Sequence, residues 1–447
     1  MPRLVLLLAV LLLPLQAVAA DAADDRAALY QQYRQAFDAG EYQRALPLAM
    51  RVVELTSNQF GPDAQELVNP LTNLATTLLR LGQHMDAVDA YRRALTLLDL
   101  GTIPSDPRFV APLHGLGATL REMDRHEDAI VPLKRAVEII RNRDGLHAPE
   151  QLPILRALIA CYQVTGRETE ATREHQYAYT IAEQLWGSSD LRMLPVLEEF
   201  AAWYETIGRY SSARVMYQRA AQLADRNEPM GLKAIPALRG MARNYRLGFI
   251  HGENSQALAP PDELPESIRR SQAYSTGLST AEGERALRNA LQRLEPHGAS
   301  HAAERGAVLV DLGDWYRTAG LSERALAAWR DAWRELNLAG DTSPLARPEP
   351  VVYRAPPIAT SQRKEDLDEY SIQEVELRVA IGADGALRDL TVANPAKERE
   401  SAERAVVAAL RRATWRPAFE NGQPVATTDF IFREKVYVKL PRGSRRN

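Results

Sequence analysis

The sequence contains one cysteine, Cys161, among 447 residues. An intramolecular disulfide is therefore impossible, and the cysteine count carries no information about an oxidising compartment. The formal net charge is −3, so no strongly basic field attracts nucleic acid. The sequence also lacks phosphate-binding loops, dinucleotide-binding glycine patterns and nucleophile elbows. These absences favour an interaction protein over an enzyme, and they indicate no cofactor, metal, nucleic-acid partner or small-molecule substrate.

Isolated features that resemble chemical sites have simpler interpretations. His297 and His301 have a helix-compatible spacing for a metal pair, but no third ligand lies nearby in the sequence. Cys161 lies among apolar neighbours on a predicted helix, which favours a core residue over a nucleophile. The basic C-terminal end, residues 435–446, favours a solvated tail over a site for anionic lipid or phosphate.

Long apolar runs are absent except at the N-terminus. Arg3 precedes an apolar run over residues 4–13, and small residues at 17–20 supply an A-x-A motif. This order is typical of a cleaved secretory signal, here residues 1–20. We therefore expect a periplasmic mature protein. The alternative is an uncleaved inner-membrane anchor, because the uncharged stretch is at the lower limit for a spanning helix.

Small residues recur with a period of 42. A period in this range is typical of repeat architectures, in which similar units stack side by side and form extended binding surfaces. Glycine keeps the same step in four repeats, at residues 40, 82, 166 and 208, with Asp124 at the missing position. The recurring alanines are Ala45, Ala87, Ala129, Ala171 and Ala213.

Each period predicts two helices. Leu71, Leu74 and Leu78 lie on one helical face, and Gly82 can end that helix. A second helix follows, with alanine where the two helices approach closely. Prolines mark the start of the first helix in successive units, where the backbone N–H has no acceptor. They are Pro70, Pro112, Pro153, Pro195 and Pro236.

This pattern resembles the tetratricopeptide repeat (TPR) family. The fifth unit matches nearly every signature position, with Leu197, Phe200, Ala201, Tyr204, Gly208, Ala213, Tyr217 and Ala220. We predict five 42-residue repeats over residues 24–228. Residues 229–338 then contain an interrupted repeat, whose second helix is displaced by a segment at about 250–280, and a strong final repeat.

The resemblance implies a partner-binding groove lined by the first helix of each repeat. The alternative is a solvated face without function. Carrying the exposed positions over to this chain gives a groove that changes from polar and basic to acidic. Its residues are Asn69, Thr72, Thr76, Arg80, His114, Arg121, Arg156, Gln163, Glu198 and Glu205.

The pattern changes after the repeats. Residues 339–361 contain five prolines and predict an extended, semi-rigid linker. Residues 375–381 alternate between apolar and charged, which predicts a half-buried strand, and Asp384-Gly385 predicts a hairpin turn. A second strand, an alanine-rich helix over 401–412, a turn at Asn421-Gly422 and a long strand over 425–438 follow. The order is β-β-α-β.

Residues 362–447 resemble the TonB C-terminal domain family. The resemblance depends on the first strand, the Asp384-Gly385 turn, the Trp415-Arg416-Pro417-Ala418 segment after the helix and Pro424-Val425. It implies capture of a short peptide from an outer-membrane receptor by strand addition. The alternative is an edge blunted by Arg433, Glu434 and Lys435. The edge-strand candidates are Thr427, Asp429, Ile431, Arg433, Lys435 and Tyr437.

The sequence therefore predicts a mainly α fold, a TPR α-solenoid followed by a small α+β domain. We expect a periplasmic, non-enzymatic scaffold for protein or peptide partners in the cell envelope, with an outer-membrane receptor as one candidate. A membrane-anchored TonB-type energy transducer is the alternative, although a cleaved signal and a short linker disfavour it. A third possibility, an enzyme or an accessory subunit of an envelope enzyme, has no residues to recommend it.

Overall fold

The computed structural model describes residues 26–101, 103–252, 264–269, 280–356 and 370–439. The chain divides into two compact units, Met1–Leu185 and Trp186–Asn447, here called the N-terminal and C-terminal units. In the ranges described, no helix is long and apolar enough to cross a membrane. The predicted signal, most of the 250–280 segment and the basic end after residue 439 lie outside the described residues.

In its described residues, the N-terminal unit contains four helix pairs, spaced as the 42-residue period predicts. The first pair is α1, over residues 26–38, and α2, Tyr42–Phe60. Helix α8 ends at the first residue of the C-terminal unit. The other pairs are α3 (Val68–Arg80) with α4 (His84–Asp99), α5 (Val110–Glu122) with α6 (His126–Asp144), and α7 (Gln151–Val164) with α8 (Glu168–Trp186).

The C-terminal unit contains three further pairs, one of them interrupted. Helix α13 packs against α11, as expected of the second helix of the interrupted repeat, beyond the 250–280 segment. A four-residue helix, α12 (Glu266–Arg269), lies within that segment. The pairs are α9 (Met193–Thr206) with α10 (Tyr210–Asn227), α11 (Ile235–His251) with α13 (Thr280–Leu294), and α14 (Ala302–Thr318) with α15 (Ser322–Leu338).

The periodic small residues have the predicted roles. All five recurring alanines, and Ala325 in the last pair, have no exposed surface, because helices approach closely only where side chains are short. The glycine position closes each first helix in the left-handed region, where glycine has no steric cost. Asp124, at the missing glycine, adopts the same conformation with φ 57°, since Asp tolerates it better than most residues.

Within the described residues, the small domain after the repeats contains seven strands and one helix, α16 (Glu400–Leu410). Its main sheet has the order β3-β2-β7 and is antiparallel. This confirms the predicted β-β-α-β order and adds short strands around it. The strands are β1 (Glu349–Val352), β2 (Tyr370–Ile381), β3 (Leu387–Val392), β4 (Thr414–Arg416), β5 (Ala418–Glu420), β6 (Gln423–Val425) and β7 (Thr427–Lys439).

Alternation along β2 determines the core of this domain. Val375, Leu377 and Val379 point towards α16 and are fully buried, together with Trp415. The Trp415 ring packs edge-on against Phe430 and Phe432 of β7. The predicted hairpin turn is confirmed, with Gly385 at φ 74° and the Asp384 carboxylate accepting a hydrogen bond from the Ala386 N–H.

The prediction that residues 339–361 form an extended linker is wrong in part. Its residues 349–352 form β1, which pairs antiparallel with β4, and Leu345 and Val351 are buried. Composition misled the prediction because prolines are compatible with an edge strand as well as with an extended linker. Residues 353–356 have no regular structure, and the remainder of the segment lies outside the described residues.

Candidate protein-binding face

The first helices α9, α11 and α14 of the C-terminal unit present a face with an open end and a filled end. At the open end lies a pocket of about 430 Å³ between α9 and α11. The carboxylate of Glu198 lies in its wall beside Ala202. The lining residues are Glu198, Ala202, Tyr217, Leu232, Ile235, Pro236, Arg239, Arg243 and Glu304.

 Another pocket, of about 490 Å³, lies in the N-terminal unit, where the second helices α6 and α8 supply most of its lining.

Both arginines of the open end are neutralised by carboxylates of the same unit. Arg239 Nε donates to Asp311 at 2.6 Å. Arg243 Nε donates to Glu205 at 2.6 Å, and its second nitrogen donates to the Tyr217 hydroxyl at 3.0 Å. Burial, together with the charge of Glu205, raises the pKa of Tyr217 well above its ordinary value. The predicted groove residue Glu205 therefore holds the pocket wall in place.

Glu198 has a different environment. No ion pair or hydrogen bond within the described ranges reaches its carboxylate, which is partly buried. Burial alone raises the pKa of Glu198 to about 7, because desolvation disfavours the charged form. A partly buried carboxylate without a counter-charge can gain stabilisation from a cation that enters the pocket.

The filled end lies at the last repeat. Asp314 on α14 and Arg416 on β4 form an ion pair at 2.8 Å, and both residues are almost completely buried. The Trp329 indole N–H also donates to the Asp314 carboxylate, at 3.2 Å. Burial raises the pKa of Asp314, while the charge of Arg416 opposes this shift. The carboxylate of this repeat is therefore neutralised from within the chain.

Backbone contacts accompany the Asp314–Arg416 pair. Arg317 of α14 donates to the Gly385 carbonyl in the β2–β3 turn at 3.0 Å, and Arg246 of α11 donates to the Val351 carbonyl of β1 at 2.8 Å. Gly422, in the turn after β5, approaches the Trp333 ring of α15 closely. The small domain thus packs against the last repeat through side chains of the first-helix face.

The predicted groove residues of the N-terminal unit lie on α3, α5 and α7. Thr72 and Thr76 bond to carbonyls of their own helix, and Thr76 also bonds to the Tyr91 hydroxyl. Asn69, Arg80 and Arg156 are exposed, whereas His114 and Arg121 are partly buried. Burial is the main cause that lowers the pKa of His114, and the charge of Arg121 lowers it further. A groove whose charge changes from basic to acidic along its length would include residues of both units, and it stays a prediction.

Gln163 also engages a neighbour. Its amide lies 3.2 Å from His175 Nε2 on α8. Burial lowers the pKa of His175 to about 4, so the imidazole is neutral at physiological pH. This contact joins the two helices of one repeat and is structural.

The edge-strand candidates lie on β7, which forms one edge of the described three-stranded sheet. Arg433 forms ion pairs with Glu374 and Glu376 of β2, and Asp429 pairs with Arg378. Glu434 accepts a hydrogen bond from the Tyr353 hydroxyl at 2.9 Å, and the alternative of a blunted edge stays a prediction. Among the residues described, no strand pairs with the outer side of β7.

The other singled-out residues form no chemical site. Cys161 is fully buried, and burial raises the pKa of its thiol, as expected for a core residue. The rings of His297 and His301 lie 4.9 Å apart. Where the structure describes the chain, no group of three or more His, Cys, Asp or Glu residues is arranged to hold a metal ion.

Sequence reasoning missed the residues that distinguish the two ends of the face. The groove positions were carried over only as far as the fifth repeat. Aligning Leu238 and Leu309 with Leu197 of the fifth repeat makes the equivalences plain. Arg239 and Arg243 of α11 then occupy the positions of Glu198 and Ala202, and Asp314 and Arg317 of α14 occupy those of Ala202 and Glu205. The signal was present, but the interrupted period after residue 228 obscured it.

Comparisons with known proteins match part of the chain to tetratricopeptide repeats. The TPR family matches residues 26–99, and no curated protein matches the chain. TPR-like repeats of a protein described as a kinesin light chain from Podosopora anserina are 18% identical, with a TM-score of 0.42, over 45% of this chain and 95% of that one. The C-terminal part of a TPR protein from Cytophaga hutchinsonii is 12% identical, with a TM-score of 0.44, over 70% and 97%.

A third solved structure covers more of the chain. Aspartyl phosphate phosphatase F from Bacillus subtilis is 13% identical, with a TM-score of 0.39, over 75% of this chain and 76% of that one. By its own helix pairs and its family match, the described chain is mainly helical and TPR-like, with a small strand-containing domain towards its C-terminal end. Repeats of this kind indicate a protein-interaction scaffold.

Proposed function

We propose that this protein is a scaffold of the bacterial cell envelope that binds a protein or peptide partner on the first-helix face of its C-terminal unit. One observation carries the proposal. The pocket around Glu198 is open, whereas Asp314 of the same face is neutralised by Arg416. A face that already accommodates a protein segment at one end has the chemistry to accommodate another at the open end.

Filling the pocket tests this function. Ala202 is exposed on α9 and lines the pocket, so Ala202→Trp blocks the open end without entering the core. Affinity capture from an envelope extract with the full mature chain should lose its partner in this variant. Ala408→Trp, on the exposed side of α16, is the matched control and should retain the partner. Equal capture by both variants would contradict the proposal.

The envelope location is part of the proposal and is supported by the apolar run and small-residue motif of residues 1–20. Mass spectrometry of the mature N-terminus tests it. A chain that begins near residue 21 in the periplasmic fraction supports a soluble scaffold. A chain that retains Met1 in the membrane fraction supports the alternative, a membrane-anchored TonB-type transducer.

A second candidate function is strand addition at β7, which the TonB-like order of elements favours. The outer side of β7 has no partner strand among the described residues, and Arg433 bends back over the sheet to Glu376. Backbone groups there are available to an extended peptide, for which an outer-membrane receptor is one source. Amide hydrogen exchange tests this: a bound partner should slow exchange in β7, and slowing confined to α9 and α11 would refute it.

A further inference from the structure

The open pocket has a chemical preference. We propose that it binds a peptide segment that presents a lysine or arginine beside an apolar side chain. This inference rests on the proposed function and specifies its ligand. It follows from the charges left unpaired in the pocket, from the apolar part of its wall and from the contact that fills the other end of the same face.

The charges of the pocket favour a cation. Arg239 and Arg243 contact carboxylates at hydrogen-bond distance, so their charges are already balanced. Glu198 and Glu304 also line the pocket, and in the described ranges neither has an ion-pair partner. Two carboxylates are therefore left without counter-charges. An acidic segment would need to displace Asp311 or Glu205 to reach either arginine, whereas a basic segment needs no rearrangement.

The apolar part of the wall explains the second element of the ligand. Leu232, Ile235 and Pro236 line the side of the pocket at the start of α11. A volume of about 430 Å³ accommodates more than one side chain. An apolar residue adjacent to the basic one would bury its surface there, while the alkyl stem of the basic residue follows the same wall.

The filled end shows the same chemistry within the chain. There the carboxylate of Asp314 is neutralised by Arg416, which the extended segment β4 supplies. The residue before it, Trp415, is apolar and fully buried. A carboxylate on a first helix is thus matched by a basic residue beside an apolar one. Glu198 lies on the same face and lacks such a partner.

Peptide titration tests the inference. The probe is a set of capped hexapeptides that differ only at one central position, which is Lys, Arg, norleucine, Gln or Glu, between leucines. We expect the lysine and arginine peptides to bind the full mature chain at least about tenfold more tightly than the other three. Glu198→Gln should remove that preference. Glu295→Gln, an exposed site in the same unit, should leave it unchanged.

Each outcome is informative. Equal binding of all five peptides, or tighter binding of the glutamate peptide, would overturn the inference while Ala202→Trp could still confirm the proposed function. Binding of none would overturn the inference, and the capture experiment would then decide the proposed function alone. Retention of the basic preference in Glu198→Gln would also contradict the assignment to this pocket. A circular dichroism melt of each variant shows that it is folded.

Discussion

Two carboxylates on the first-helix face of the C-terminal unit have opposite environments. Asp314 is buried against Arg416 at 2.8 Å, whereas Glu198 lies in an open pocket without a described partner. The helix pairs beneath them share the same packing, with Ala213 and Ala325 fully buried. The difference therefore arises from what covers the face. Where the small domain packs, the face is part of the core; at Glu198 it is open.

This contrast also explains why the small domain is placed at the end of the repeats. The last repeat of a stacked array exposes a surface that its neighbours would otherwise cover. Contacts from Arg416, Gly385 and Val351 cover part of that surface here. The domain thus acts as a cap for the last repeat in addition to any binding role of β7.

The largest expected effect is at the filled end. Arg416→Ala leaves the Asp314 carboxylate buried without its partner, so we expect a loss of about 3–5 kcal/mol in the free energy of unfolding. Chemical denaturation monitored by circular dichroism measures this loss. Arg412→Ala, at an exposed position just after α16, is the control and should change stability by less than about 0.5 kcal/mol.

A double variant sharpens the same prediction. Replacing Asp314 and Arg416 together with leucine and methionine removes both charges, so it should cost less than either single replacement by alanine. If Arg416→Ala matched Arg412→Ala in stability, the small domain would not be held by this pair. The contrast between a filled and an open end would then fail.

The next effect concerns the helix pairs at both ends. Ala213 and Ala325 occupy the same repeat position and have no exposed surface. Tryptophan at either position overpacks the contact between the two helices and should cost about 1–3 kcal/mol. Thermal melts of Ala213→Trp and Ala325→Trp should show similar losses. A loss at only one position would mean that the two ends differ in their helix packing as well as in their cover.

The smallest effect is at the open end and has the opposite sign. The folded-state pKa of Glu198, about 7, is raised above its ordinary value. The carboxylate therefore destabilises the fold increasingly as pH rises from the ordinary pKa to the raised one, and the effect is complete above it. Glu198→Gln should therefore stabilise the protein by about 1–2 kcal/mol near pH 8, after allowance for its partial exposure. Near pH 4 the difference should vanish, because Glu198 is then protonated in both states.

Denaturation curves at the two pH values check this prediction. Glu295→Gln provides the control, since its exposed side chain should make no difference at either pH. A destabilised Glu198→Gln protein near pH 8 would mean that the carboxylate has a partner after all. It would also remove the physical reason for expecting a basic ligand in the pocket.

The repeats could be predicted because they depend on local signals. Alanine at the helix contacts, glycine after most first helices and proline near the start of α3, α5, α7, α9 and α11 are signals that lie within one 42-residue unit. The hairpin at Asp384 and Gly385 is equally local. These features depend on backbone conformation and on close packing of neighbours, which short sequence patterns encode directly.

The candidate site could be predicted only in part. Glu198 and Glu205 followed from the repeat spacing, but their different environments did not. Asp314 and Arg416 are 102 residues apart, and no periodic signal joins a helix to a strand of another domain. β1 was missed for a similar reason, since its partner β4 follows more than 60 residues later. Contacts over such distances depend on tertiary packing, which a local pattern does not encode.

The most direct measurement is a crystal structure of the protein with the lysine-centred hexapeptide bound. We predict that the lysine ammonium lies within hydrogen-bond distance of the Glu198 carboxylate, that the adjacent leucine contacts Ile235 and Pro236, and that Arg416 still contacts Asp314. A peptide bound along β7 or elsewhere, with the pocket empty, would contradict the assignment of the open end as the binding site.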